Sequence, residues 1–134
     1  MNLSEKAAAL LEQSVNAVVA TIKQDGSAQL TPVWFHWDGE VIRFSITKDR
    51  VKYSHLRRDP RIAICIDSGR SRDVGYVTIY GEAELNDRPE EILEPIRRIR
   101  RRYQGEERAA QTTVDELCAA QRVLVSVRPQ RIVP

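Results

Sequence analysis

The chain has 134 residues, 42% of them hydrophobic and 30% charged, and a formal net charge of +2. These values fit one soluble domain, 1–134, large enough to bury its own core, and the charge is too small to point to a nucleic-acid partner. No apolar run approaches the roughly 18 residues of a membrane span, so no membrane partner is expected.

In chain order, Ser4 is placed to cap a first helix that ends near Gln13, with Ala7, Leu10 and Leu11 on one face. Charges inside this stretch make it an amphipathic helix rather than a signal peptide. Residues 15–23, VNAVVATIK, are rich in β-branched residues and read as a buried strand. Asp25-Gly26 marks a tight turn into a second strand at 28–37, AQLTPVWFHW. Pro32 cannot donate to a ladder, so this strand needs an edge or a bulge there. Trp34 faces away from Phe35 and Trp37, and one of the two faces belongs to the core.

Asp38-Gly39 signals a second hairpin into a strand at 40–47, where Ile42, Phe44 and Ile46 alternate with Arg43, Ser45 and Thr47. Asp49 is placed to cap a short helix that Asp59-Pro60 stops. A strand at 61–67 follows, then a polar stretch at 68–74, SGRSRDV, expected as a mobile loop. The strand at 76–85 leads to Pro89, which opens a helix at its favoured first turn. That helix carries a stripe of Ile92, Ile96, Ile99 and Tyr103. Residues 104–111 read as loop, 113–120 as a short helix, and 122–129 as the last strand. The expectation is a mainly β, six-stranded antiparallel barrel of Greek-key type with peripheral helices.

Much familiar chemistry is missing. There is no P-loop, no Gly-x-Gly-x-x-Gly and no nucleophile elbow. His36 and His55 stand without any metal-ligand pattern, and His36 is read as structural. Cys65 sits in the apolar run Ile64-Cys65-Ile66 and reads as a buried thiol. Nothing marks secretion, so a cytoplasmic location is expected.

The informative stretch is 45–52, Ser-Ile-Thr-Lys-Asp-Arg-Val-Lys, where a strand gives way to a helix. Unpaired N–H groups and partial positive charge gather at such a corner. Ser45 and Thr47 add hydroxyls on one strand face, Arg50 adds a guanidinium fork and Lys52 a point charge. The pattern suits a phosphate group; a solvated basic helix start is the alternative.

The chain also resembles a known family. Ala20-Thr21, Asp25-Gly26, Pro32-Val33-Trp34, Thr47, Arg50, Lys52, Leu56-Arg57-Arg58-Asp59-Pro60-Arg61 and Gly81-Glu82-Ala83-Glu84-Leu85 follow one another in the order and spacing of the pyridoxamine-phosphate-oxidase-like superfamily. The pattern is most similar to the reductases of that superfamily that use the deazaflavin coenzyme F420. The resemblance implies a split barrel, a homodimer with the cofactor at the subunit interface, and a small-molecule substrate. It implies hydride transfer between reduced F420 and an acceptor with an electron-poor double bond. The alternatives are an FMN-dependent oxidoreductase of the same fold or a non-catalytic flavin binder. By the same resemblance Gln29, Leu30, Thr31, Pro32 and Val33 line the ring system, and Ser45, Ile46, Thr47, Arg50 and Lys52 hold the phosphate end. The catalytic residue stays open, with solvent, Tyr76 or Tyr80 as candidate proton sources.

Two departures bear on the choice of cofactor and substrate. Arg50-Val51-Lys52 replaces the adjacent Arg-Lys common in FMN oxidases, which leans toward the deazaflavin branch. The sequence ends at Arg131-Ile132-Val133-Pro134, short of the segment those oxidases use on vitamin B6, so that substrate is not expected. The run Arg97-Arg98-Ile99-Arg100-Arg101-Arg102 reads first as a solvated helix face balanced by nearby glutamates, and second as an anion patch for a polyglutamate cofactor tail.

Overall fold

A computed structural model describes residues 4–67 and 75–133. Helix α1 (Glu5–Leu11) starts where Ser4 Oγ accepts the Ala7 N–H at 3.1 Å, and it buries Ala7, Leu10 and Leu11. Strand β1 (Ala17–Ile22) turns through Asp25, whose carboxylate accepts both the N–H and the hydroxyl of Ser27, into β2 (Ala28–Val33). Gly26 supplies the positive φ of 88° that this turn requires. The remaining elements are β3 (His36–Trp37), β4 (Ile42–Thr47), α2 (Val51–Arg58), β5 (Arg61–Asp67), β6 (Tyr76–Asn86), α3 (Pro89–Gln104), α4 (Glu106–Ala110), α5 (Val114–Ala120) and β7 (Arg122–Val133). The loop expected at 68–74 lies outside the described residues.

All strand pairs are antiparallel, in the order β2-β1-β5-β6-β7-β4-β3. The two ends of this sheet, β2 and β3, are separated in sequence only by Trp34 and Phe35. A flat sheet of seven strands would hold its outer strands roughly 29 Å apart at about 4.8 Å per step. Three residues from Val33 to His36 span at most about 10 Å. The sheet must therefore curl until its ends nearly meet, which is the half-barrel observed.

The strand count corrects the six expected. The stretch read as one strand at 28–37 breaks at Trp34-Phe35, because these residues carry the chain from one end of the sheet to the other. Pro32 is accommodated as expected: β2 pairs with β1 alone and presents a free edge. The stretch read as loop at 104–111 contains α4, a single short helix whose one buried residue is Ala109. The last strand runs past residue 129 to Val133, paired with β6 through a bulge at Tyr80/Gly81.

Alternation decides what fills the barrel. Val19, Phe44, Ile64, Ile79 and Val125 point inward, and Leu56 of α2 joins them in the main core. A second, smaller core lies outside the barrel. There Ile92, Ile96 and Ile99 of α3 pack with Leu117 and Leu124. Leu124 pairs with Ser45 across β4–β7, so α3 is clamped onto the outer face of these two strands. No described helix is long and apolar enough to cross a membrane.

Candidate functional site

The placement of α3 leaves a cleft on each side of it. The larger, of about 580 Å³, is walled by β2 and Trp34 on one side and by β4, the start of α2 and Arg122 on the other. Its size falls within the ordinary range of small-molecule sites. Thr31, Pro32, Val33, Ser45, Ile46, Thr47, Arg50 and Lys52 all line it, so eight of the ten residues expected from sequence share one cavity. Gln29 and Leu30 do not line it. They lie farther along β2, opposite Thr21 and Ala20, and Leu30 is 65% exposed.

The donor set of the cleft is strongly one-sided. Arg50, Lys52, Arg100 and Arg122 bring four cations, Thr31, Ser45 and Thr47 bring hydroxyls, Asn16 brings an amide, and no carboxylate lines the cavity. Such a set suits an anionic ligand. Burial first, and then the neighbouring Arg50 charge, push the Lys52 ammonium below its ordinary range. Among the described residues neither Arg50 nor Lys52 forms a salt bridge, so both charges face the cleft uncompensated by contact partners. A phosphate-bearing ring cofactor fits this site on two observations: its cationic end carries no acid, and its opposite wall is built from Pro32, Val33 and Trp34.

The start of α2 differs from expectation in one detail. Its N-cap is Arg50, which makes no side-chain cap. Asp49 instead accepts a hydrogen bond from the Thr47 hydroxyl, which lowers its pKa. The helix N-terminus is thus left uncapped beside the cleft, and its N–H groups are not satisfied by a side chain of their own helix.

Two cations of the wall lie outside the ten site residues expected from sequence. Arg122 lies opposite Thr47 in the β4–β7 ladder, and Arg100 reaches in from α3. Arg100 is held by Glu116 at 2.8 Å and by the Thr112 hydroxyl at 2.9 Å. Only the strand alternation of 122–129 hinted that Arg122 shares a face with Leu124 and Ser126.

The arginine run resolves mainly into internal ties. Arg97 binds Glu94 and the Thr112 carbonyl, Arg101 binds Glu106, and Arg102 donates to the Gln13 carbonyl at 2.6 Å while lying over Phe35. Arg98 is exposed and lines the second cavity, of about 420 Å³, with His36, Asp38 and Arg43. The His36 pKa is lowered, by burial first and then by Arg102 and Arg98, which favours the neutral ring. His55 bonds the buried Thr21 hydroxyl at 2.9 Å, tying α2 to β1. Neither histidine lines the larger cleft, and among the described residues no group of His, Cys, Asp or Glu could hold a metal. Tyr76 and Tyr80 also lie outside its lining and are exposed. Cys65 is half-buried on the outer face of β5 rather than in the core.

A curled antiparallel sheet with peripheral helices is shared by several solved proteins. One is an F420 reductase, 29% identical, with 98% of each chain covered and a TM-score of 0.77. Another is a conserved hypothetical protein of Mycobacterium tuberculosis, 30% identical over 98% of this chain and 84% of that one, with a TM-score of 0.78. A flavocytochrome of Azotobacter vinelandii, 16% identical over 98% of this chain and 66% of that one, has a TM-score of 0.76 and speaks for the fold alone. Residues 3–132 match the family model of pyridoxamine 5'-phosphate oxidase, and the chain belongs to that family.

Proposed function

We propose that this protein is an oxidoreductase that moves a hydride between the deazaflavin coenzyme F420 and a small organic acceptor with an electron-poor double bond. The observation that carries the reading is the cleft lining: four cations and three hydroxyls share one cavity, with no carboxylate among the lining residues. The likeness to an F420 reductase along 98% of both chains supports the choice of cofactor.

In this reading Ser45, Thr47, Arg50 and Lys52 grip the anionic end of the cofactor, while Thr31, Pro32, Val33 and Trp34 form the wall along its ring. The bound deazaflavin supplies the hydride, and the protein supplies position and field. Tyr76 and Tyr80 lie outside the cleft lining, so in this reading solvent is the proton source for the second carbon of the acceptor.

The reading also includes a homodimer. Helix α3 covers the outer face of β4 and β7, whereas no described helix lies over the outer face of β2, β1, β5 and β6. Leu30, Val18, Tyr76 and Tyr80 are exposed on it, interspersed with the small residues Ala20 and Ala63. A second copy of the chain is the occupant that suits such a face.

Stopped-flow mixing of the protein and reduced F420 with nitro- and enone-type acceptors tests the activity. Acceptor-dependent oxidation of F420 is expected. Oxidation supported only by reduced FMN would move the cofactor assignment to FMN. Binding without oxidation of either would leave a cofactor-binding protein.

A further inference from the structure

Among the described cleft cations, Arg122 is the one that carries a buried donor without a partner. Its Nε is sealed from solvent and has no hydrogen-bond partner, and its Nη1 reaches Ser45 Oγ only at 3.5 Å, the outer limit of such a bond. Among the described residues it forms no salt bridge. The nearest charges are mixed: Arg100 and Arg50 oppose it, while Glu116 and Asp49 favour it, and Glu116 is already committed to Arg100. A half-buried guanidinium in this state is costly to keep in a folded chain. Such a cost is accepted where a ligand removes it.

The position is specific. Arg122 begins β7 directly across from Thr47, and Ser45 lies two residues along on the same face of β4. Both hydroxyls belong to the corner expected to hold a phosphate. The start of α2 brings Arg50 and Lys52 to this corner from one direction, and β7 brings Arg122 from another. An anion seated against Ser45 and Thr47 would thus be flanked from both sides.

We propose that Arg122 is an anion-binding residue of the cleft, closing the phosphate seat from the β7 side opposite Arg50 and Lys52. The inference rests on the reading of the cleft as a phosphate-bearing cofactor site. It adds a residue far from the corner in sequence, and it assigns that residue a purpose against the stability of the empty protein.

That opposition of signs separates the inference from a packing role. A guanidinium that packs loses stability when replaced; one that waits for a ligand gives stability back. The test is thermal melting of the full chain in phosphate-free buffer, followed by titration with inorganic phosphate and with F420. Arg122→Met keeps the length of the side chain without charge, and Arg122→Lys keeps the charge without the fork. Unliganded Arg122→Met is expected to melt at or above the wild type, with affinity for phosphate and F420 reduced roughly 10- to 100-fold. Arg122→Lys is expected to fall between them in affinity, and it carries the test by itself should the methionine variant fail to fold. Unchanged affinity in the variants, with wild type binding F420 normally, would overturn the role of Arg122 while leaving the cleft reading intact. A wild type that binds neither phosphate nor F420 would remove both.

Discussion

The Trp34 indole lies flat on the Tyr103 ring, with centroids 5.0 Å apart and planes 7° from parallel. Tyr103 is itself fixed from α3: its hydroxyl donates to the Val15 carbonyl at 2.6 Å and accepts the Phe35 N–H at 3.2 Å. One side chain thus links the α1–β1 junction, the break between β2 and β3, and the wall of the cleft. Burial raises the Tyr103 pKa, so the hydroxyl stays protonated and able to donate.

Replacing Tyr103 by Phe keeps the stack and removes both hydrogen bonds, orphaning a backbone N–H and a carbonyl. A loss of about 1–3 kcal/mol in stability is expected from urea unfolding. Because Trp34 borders the cleft and keeps its stacking partner, its fluorescence maximum is expected to shift less than in Tyr103→Ala, which also exposes the indole face. Equal shifts in the two variants would show that the hydroxyl, not the ring, positions Trp34.

Gly81 explains part of the Gly-x-Ala-x-Leu motif. A Cβ at this position would lie 2.9 Å from the Arg128 carbonyl oxygen and 2.9 Å from Val127 Cγ1, at the bulge where β6 meets β7. The carbonyl cannot swing away without breaking the ladder. Gly81→Ala is expected to destabilise by about 1–3 kcal/mol, measured by denaturant unfolding with the m-value unchanged. A neutral effect would mean that the strand pair opens at the bulge more readily than the contacts suggest.

Asp38 makes a pH-dependent contribution to the β3–β4 turn. Burial alone would raise its pKa, but the Arg43 guanidinium and the N–H groups of Glu40 and Val41 outweigh it and hold the carboxyl at about 2. Its folded pKa is depressed, so the stabilisation is complete above the ordinary carboxyl range near 4. It is lost as the pH falls from about 4 to about 2. Asp38→Asn is expected to lower stability at pH 7 by on the order of 1 kcal/mol and to flatten the acid limb of the stability curve in that window. An acid limb identical to wild type would assign the dependence to other carboxylates.

The homodimer reading makes a separate prediction. Ala63 sits on the outer face of β5, beside Ala20 and Tyr80 in the registers of the neighbouring strands. Ala63→Arg is expected to convert a sedimenting dimer to monomer without changing the far-UV circular dichroism spectrum. A wild type that sediments as a monomer at micromolar concentration would contradict the assembly.

How much of this could be read from the sequence depended on range. β1 and β4 announced themselves through branched and alternating apolar residues, and the corner from Ser45 to Lys52 is contiguous, so its groups meet through local geometry alone. What stayed hidden depended on long-range pairing. Arg122 enters the site only through the β4–β7 register, 75 residues after Thr47 in numbering. Nothing local in Arg122-Val123-Leu124-Val125 distinguishes a site residue from a strand end. The Trp34-Phe35 break was masked because the aromatic residues around it suit a strand, although the sheet needs them to turn between its ends. Helix α4 has too few residues to show a periodic stripe, and Asp49 lies one residue before the position whose side chain caps a helix.

The most direct measurement is a fluorescence titration of wild type and Lys52→Ala with F420 and, separately, with FMN. The account predicts saturable binding of F420 by the wild type, tighter than FMN. It also predicts a loss of about 1.5–3 kcal/mol in Lys52→Ala, the worth of a charge-assisted contact. Failure of the wild type to bind either cofactor, or equal affinity in the variant, would contradict the assignment of the cleft.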